Sequence, residues 1–139
     1  MSETIFSKII ANEIPAEIIY EDELVLAFLD INPINKGHTL VIPKVAFENI
    51  FDADEEVFAH MAVVAKRLGN CLKDAVQADG INLIMNNGTA AGQEVFHAHL
   101  HIIPRFANDG AFPTPQHVTY EDNEVKALAT QLRTAVEDV

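Results

Sequence analysis

The run His97-Ala98-His99-Leu100-His101-Ile102-Ile103-Pro104-Arg105 constrains this chain more than any other stretch. It holds three of the six histidines, each two residues from the next, with apolar spacers at Ala98, Leu100 and Ile102. Period two is the periodicity of a strand. The pattern predicts one face carrying His97, His99 and His101 and an opposite face burying apolar groups. Same-face side chains stand roughly 6.5–7 Å apart, so a row of imidazoles can meet one anionic group at several points. Pro104 is expected to end the strand, because it has no N–H for a central ladder. Two chemistries suit such a row. A His-x-His strand can hold zinc, with Glu94 or His38 as further ligands. Alternatively, a neutral imidazole whose Nδ1–H is held by a carbonyl presents its Nε2 lone pair to phosphorus, while its neighbours donate N–H to the non-bridging oxygens. A zinc site wants more Cys, Asp or Glu ligands nearby, so the metal-free reading is preferred.

The chain has 139 residues, the length of one domain with a real core. Apolar residues at 49% and charged residues at 22% exclude a disordered chain. No apolar run approaches the ~18–20 residues of a membrane span. Met1-Ser2-Glu3-Thr4 lacks the basic and apolar regions of a signal peptide, and the single Cys71 permits no intrachain disulfide. Both features favour the cytoplasm. The net charge of −12 argues against nucleic acid and anionic membranes as partners. An anionic small molecule needs a locally positive site, for which Lys36, Lys44, Arg105 and the histidines are candidates.

The remaining patterns predict the frame. Residues 5–10 have helical apolar spacing. The β-rich runs 18–20 and 25–29 flank Glu21-Asp22-Glu23, as in a hairpin. Asp30-Ile31-Asn32-Pro33 and Asn35-Lys36-Gly37 read as turns, the second launching a strand over 38–43. Asp52-Ala53-Asp54-Glu55 fits a helix start. Val57, Met61, Val64, Ala65, Leu68, Leu72 and Val76 then recur at three and four, to about Ala78. Asp79-Gly80 is expected to close this helix, within which His60 reads as a surface or boundary residue and Cys71 as a packing thiol. Residues 81–86 read as a strand and 87–93 as a small-residue loop. Residues 106–118 show no period, and His117 there is expected to be exposed. Val125, Leu128, Leu132 and Val136 mark a C-terminal helix. The chain thus reads as one domain over 1–139, with 106–139 an irregular segment plus helix. Its fold class is α+β, an antiparallel sheet of about five strands with one long amphipathic helix and a C-terminal helix.

The segment from His97 to Ile103 resembles the His-φ-His-φ-His-φ-φ signature of the histidine triad (HIT) superfamily. Asp30-Ile31-Asn32-Pro33, the stretch from Gly37 to Lys44, Asn86-Asn87-Gly88 and Gly92-Gln93 occur in that family's order and spacing, over roughly 5–105. The His-Ile-Ile-Pro-Arg ending is similar to bacterial members of the Hint-like branch. The resemblance implies a HIT-type enzyme, a nucleoside phosphoramidase or nucleotidyl hydrolase. It would cleave at the α-phosphate of phosphoramidates, dinucleoside polyphosphates or adenylates, through a covalent nucleotidyl-histidine. His99 is then the nucleophile. His97 and His101 orient it, bind phosphate oxygens and help the proton leave, His38 supports the triad, and Gln93 acts beside the leaving group. Asp30 binds the ribose, and Phe28 and Ile31 wall the base. Asn86, Gly92 and Glu94, with His99 and His101, line the nucleotide site.

The partners implied are a purine nucleotide substrate and a second copy of the chain, in a homodimer whose sheets join. No cofactor and no metal are expected. Two positions depart from the family. Glu94 stands where Hint-type members commonly carry serine, and a carboxylate there repels an anionic substrate unless it points away or is paired. Thr4, Ser7 and Ala46 replace the Cys-x-x-Cys and His of a structural zinc site found in many bacterial relatives. The alternatives to a metal-free enzyme are a purine-nucleotide-binding regulatory or scaffold protein with little turnover, and a zinc-dependent hydrolase.

Overall fold

Strands β2 (Val25–Leu29) and β3 (Thr39–Pro43) are buried along nearly their whole length, as expected of central strands covered on both faces. They were traced in a computed structural model that describes residues 3–139. Around them lie β1 (Ile18–Glu21), β4 (Gly80–Ile84) and β5 (Leu100–Arg105). The five form one antiparallel sheet in the order β1-β2-β3-β5-β4. Three α-helices accompany it, α1 (Ile5–Ile10), α2 (Glu55–Val76) and α3 (Glu124–Val136). The expected α+β class and strand count hold.

Strand alternation divides the core in two. Val25, Ala27, Val41, Leu100 and Ile102 point to one face, where they meet Met61, Val64, Ala65 and Leu72 of α2. Leu26, Phe28, Leu40 and Ile42 point to the other, where Phe6 and Ile9 of α1 close over them. The histidine row lies on this second face. Its spacers Ala98, Leu100 and Ile102 all enter the α2 core. Every second residue from 97 to 101 is thereby committed to the α1 side.

The helix α2 starts at Asp54, whose carboxylate accepts from the Val57 amide at 3.0 Å, with Glu55 and Glu56 in the first turn. Several expectations need correction. The helix is closed by Gln77, which takes the left-handed conformation (φ 54°) and returns its amide to the Lys73 carbonyl; Gly80 instead begins β4. Cys71 is exposed, because it stands one 100° step from the inward-facing Leu72. Pro104 does not stop β5. It pairs with Ile81, and its carbonyl accepts from Asn35 Nδ2 at 2.9 Å on the side away from β4. Beyond Ile102 no β3 residue is paired with β5, so the missing N–H falls where no strand asks for it. The paired strand also begins later than the periodicity implied, at Leu100. His97 and His99 precede it, and Ala98 donates to the Phe47 carbonyl at 2.8 Å instead of to the sheet.

After β5 the chain is held briefly. Arg105 grips Asp109 through two hydrogen bonds of 2.7 and 2.8 Å, and Phe112 stacks on its guanidinium at 4.8 Å. From there to the C-terminus it lies outside the core; His117 is exposed and α3 has no buried residue. Among the described residues, no helix is long and apolar enough to cross a membrane.

Candidate active site

The imidazoles of His97, His99, His101 and His38 gather beneath α1. Phe6 stands edge-on to His99 at 4.9 Å and to His97 at 5.9 Å, and the His99 and His101 rings are 4.9 Å apart. Burial pushes all four below the ordinary imidazole value, His101 to about 4 with help from its neighbours His99 and His38. Asp30 pulls the other way at His38, His99 and His101 without reversing the shift. All four rings are therefore neutral near pH 7.

Each neutral ring has one donor and one acceptor nitrogen, and the hydrogen bonds decide which is which. His99 Nδ1 lies 2.8 Å from the His97 carbonyl, which only accepts, so Nδ1 holds the proton and Nε2 keeps a free lone pair. The next ring has the opposite polarity. The Ile34 amide donates to His38 Nδ1 at 3.1 Å, so the proton of His38 sits on Nε2. That Nε2–H donates to His101 Nδ1 at 2.8 Å, so His101 carries its own proton on Nε2. Side by side stand a lone pair on His99 and an N–H on His101. His97 donates Nε2–H to the Pro43 carbonyl at 2.9 Å, and its Nδ1 faces the Thr4 hydroxyl at 3.5 Å.

His38, His99 and His101 border a cleft of about 500 Å³. Its apolar side comes from α1 and the following loop (Phe6, Ile9, Ile14) and from Phe28; Ile31, 91% exposed, forms the rim. Asp30 also lines it, with Oδ1 accepting from the Asn32 amide at 2.9 Å and Oδ2 3.7 Å from His38 Nε2. Gly92 reaches the cleft with φ +94°, and a Cβ built there would meet the Asn86 side chain at 3.5 Å. Asn86 and Glu94 also line the cleft. These positions bring together most of the residues singled out from the sequence.

Two of them lie elsewhere. Gln93 is buried and does not border the cleft. Its Nε2 donates to the Glu48 and Val95 carbonyls, and its Oε1 accepts from Asn49 Nδ2 and the Gly88 amide, so the side chain ties two loops together with no valence left for a leaving group. His97 is likewise absent from the wall, and acts through the carbonyl that orients His99. The positive charges anticipated around the site are also missing. Lys44 pairs with Glu21 at 2.6 Å, Arg105 with Asp109, and neither they nor Lys36 line the cleft. Sequence reasoning overlooked the roof supplied by Phe6 and the part played by the Ile34 amide. The apolar spacing of residues 5–10 was the available signal for the first; the second is main-chain and has none.

Asp30, His38 and His101 place three potential ligand atoms within 4.8 Å of one another. However, the two ring nitrogens already share a proton at 2.8 Å, closer than the about 3.3 Å between two nitrogens on a tetrahedral zinc. The group reads as a hydrogen-bonded relay. Thr4 and Ser7, which stand where many bacterial relatives are expected to hold zinc, form the capping box of α1.

A HIT domain family model matches residues 11–108 of the chain. A HIT-like protein of Borreliella burgdorferi is 45% identical over 135 residues, which cover 95% of this chain and 97% of that one. The purine nucleoside phosphoramidase of Escherichia coli K12 is 41% identical over 104 residues, 73% of this chain and 86% of the enzyme. The crystal structure of a HIT family protein from Bacillus anthracis superposes with a TM-score of 0.86 at 41% identity, covering 94% of this chain and 95% of its own. The family match and these likenesses show that the chain belongs to the HIT family.

Proposed function

We propose that the protein is a nucleotide hydrolase or transferase that cleaves at the α-phosphate of nucleoside phosphoramidates or related adenylated compounds. The observation that carries this reading is the opposed polarity of His99 and His101 at the wall of one cleft. Nε2 of His99 attacks phosphorus, the bond to the leaving group breaks, and a nucleotidyl-histidine forms. The leaving group takes a proton from solvent as it departs, while the His101 Nε2–H donates to a non-bridging oxygen. Water then attacks the intermediate and gives a proton back, so the sum is hydrolysis. Asp30 holds the ribose and the apolar side under Phe6 and Phe28 holds a purine. The related phosphoramidase supports this assignment of substrate class.

The test is a rapid quench with adenosine phosphoramidate labelled at the α-phosphate. Label is expected on His99 of the denatured protein and none on the His99→Ala variant. Full turnover by that variant, or tight nucleotide binding with no product after long incubation, overturns the proposal and favours a binding or scaffold role.

The same reading makes the molecule a homodimer in a cytoplasmic setting. In support, β4 is an open edge with Leu83 50% exposed, and Val125, Leu128, Leu132 and Val136 of α3 are exposed together. Sedimentation at micromolar concentration is expected to give twice the 15.3 kDa chain mass.

A further inference from the structure

The cleft that holds His99 has an unusual charge inventory for a site that takes a phosphate. Among the described residues that line it there is no lysine and no arginine. Its only charged walls are the carboxylates of Asp30 and Glu94. The whole chain, these two carboxylates included, carries a net charge of −12. Its three imidazoles are driven toward the neutral form by burial, so they offer hydrogen bonds and no fixed positive charge. A phosphorus centre bearing one negative charge can be held this way, by directed N–H groups. Each further negative charge on the leaving group meets repulsion with no counter-ion nearby.

The two carboxylates differ in how far they are committed. Asp30 is engaged by the Asn32 amide and lies beside His38. Glu94 is exposed, and among the described residues no hydrogen bond or salt bridge ties it down. It follows Gly92 by two residues and shares the wall with His99 and His101. A group bound against His99 and His101 therefore shares its cleft with this unpaired charge.

We propose that Glu94 determines leaving-group specificity: it favours substrates whose leaving group is cationic, accepts neutral ones, and rejects those whose leaving group carries added negative charge, such as phosphate or sulfate chains. This rests on the reading of His99 as the nucleophile. A unit charge about 6 Å from the carboxylate, in a medium between water and a protein surface, changes an equilibrium by roughly three- to tenfold. Reversing the sign of the leaving group therefore spans about 10- to 100-fold.

Three adenosine 5′-phosphoramidates of matched size test it, bearing N-(3-aminopropyl), N-butyl and N-(2-carboxyethyl) groups. In the unaltered protein kcat/KM is expected to fall in that order, with the cationic substrate about 10- to 100-fold above the anionic one. Glu94→Gln is expected to shrink that ratio to within about threefold, and Glu94→Lys to invert it. The unaltered protein supplies a check that needs no variant: its ratio is expected to shrink as salt rises from 0.02 to about 0.5 M, because an exposed charge is screened. Equal turnover of the three substrates, or a ratio that survives both Glu94→Gln and high salt, overturns the proposal while the His99 mechanism stands. Failure to turn over even the neutral substrate overturns the mechanism itself, and the two failures are told apart by that arm.

Discussion

The two faces of the sheet use the same alternation for different ends. On the α2 face, Ala98, Leu100 and Ile102 join Val41, Val64 and Met61 in a dry core where little but shape and volume matter. On the α1 face, the residues between them are imidazoles, each with at least one ring nitrogen hydrogen-bonded and each held neutral. One face supplies stability from burial alone. The other spends buried volume on polar rings, and gains at His99 Nε2 a lone pair of defined direction. The difference predicts that substitutions on the two faces separate activity from stability.

The sharpest test is on the α1 side. His99→Ala is expected to lower kcat/KM for adenosine phosphoramidate by about 10³-fold or more while the thermal midpoint moves by only a few degrees. On the other side, Ile102→Ala is expected to destabilise by about 2–5 kcal/mol in urea, with kcat/KM per folded molecule retained. An activity loss as deep as that of His99→Ala would show that the faces are not separable. Next comes His38→Ala, which removes the donor that fixes His101. A loss on the order of 10²-fold in kcat is expected as His101 becomes free to take either tautomer, with the acid limb moved to higher pH because His38 no longer lowers the His101 pKa. Substrate KM changes far less.

Acid sharpens the same comparison. The folded-state pKa values of the four histidines are lowered, so below their ordinary value of 6.5 the unfolded chain binds protons that the folded chain refuses. Their neutral burial is compatible with full stability above that value. Stability is lost as pH falls from 6.5 toward about 4, the value of His101. Urea midpoints at pH 7.5 and 4.5 measure this; the acid limb of turnover is expected below 6.5 for the same reason. The smallest effect expected is from Cys71→Ser, within about 0.5 kcal/mol, since that thiol faces solvent.

What could be read from the sequence follows local period. The alternation at 97–103, the three-and-four spacing along α2 and the hairpin of β1 and β2 each depend on neighbours close in the chain, and each is realised. The errors fall where a distant partner decides. Gln93 has the right chemistry for a leaving-group contact, but Asn49 and Glu48, more than forty residues away, take its amide. Pro104 looks like a strand end until Asn35 shows which side of β5 lacks a neighbour. Phe6 belongs to a short apolar helix that would look the same whether it packed on a core or over a cleft. Asp30, Asn86 and Gly92 became legible as site residues through family resemblance, because a turn aspartate or a loop glycine has no period of its own.

The amide of Ile34 stands at the far end of the relay, donating to His38 at 3.1 Å. It is the one hydrogen in the series that cannot change sides. Lifting that main-chain segment off the ring would let both histidines reverse, and the His101 nitrogen at the cleft would turn from a giver of hydrogen into a second taker. The loop that begins at Asp30 is thus wired to His101 in the wall of the cleft, and a distortion at one is felt as a change of sign at the other.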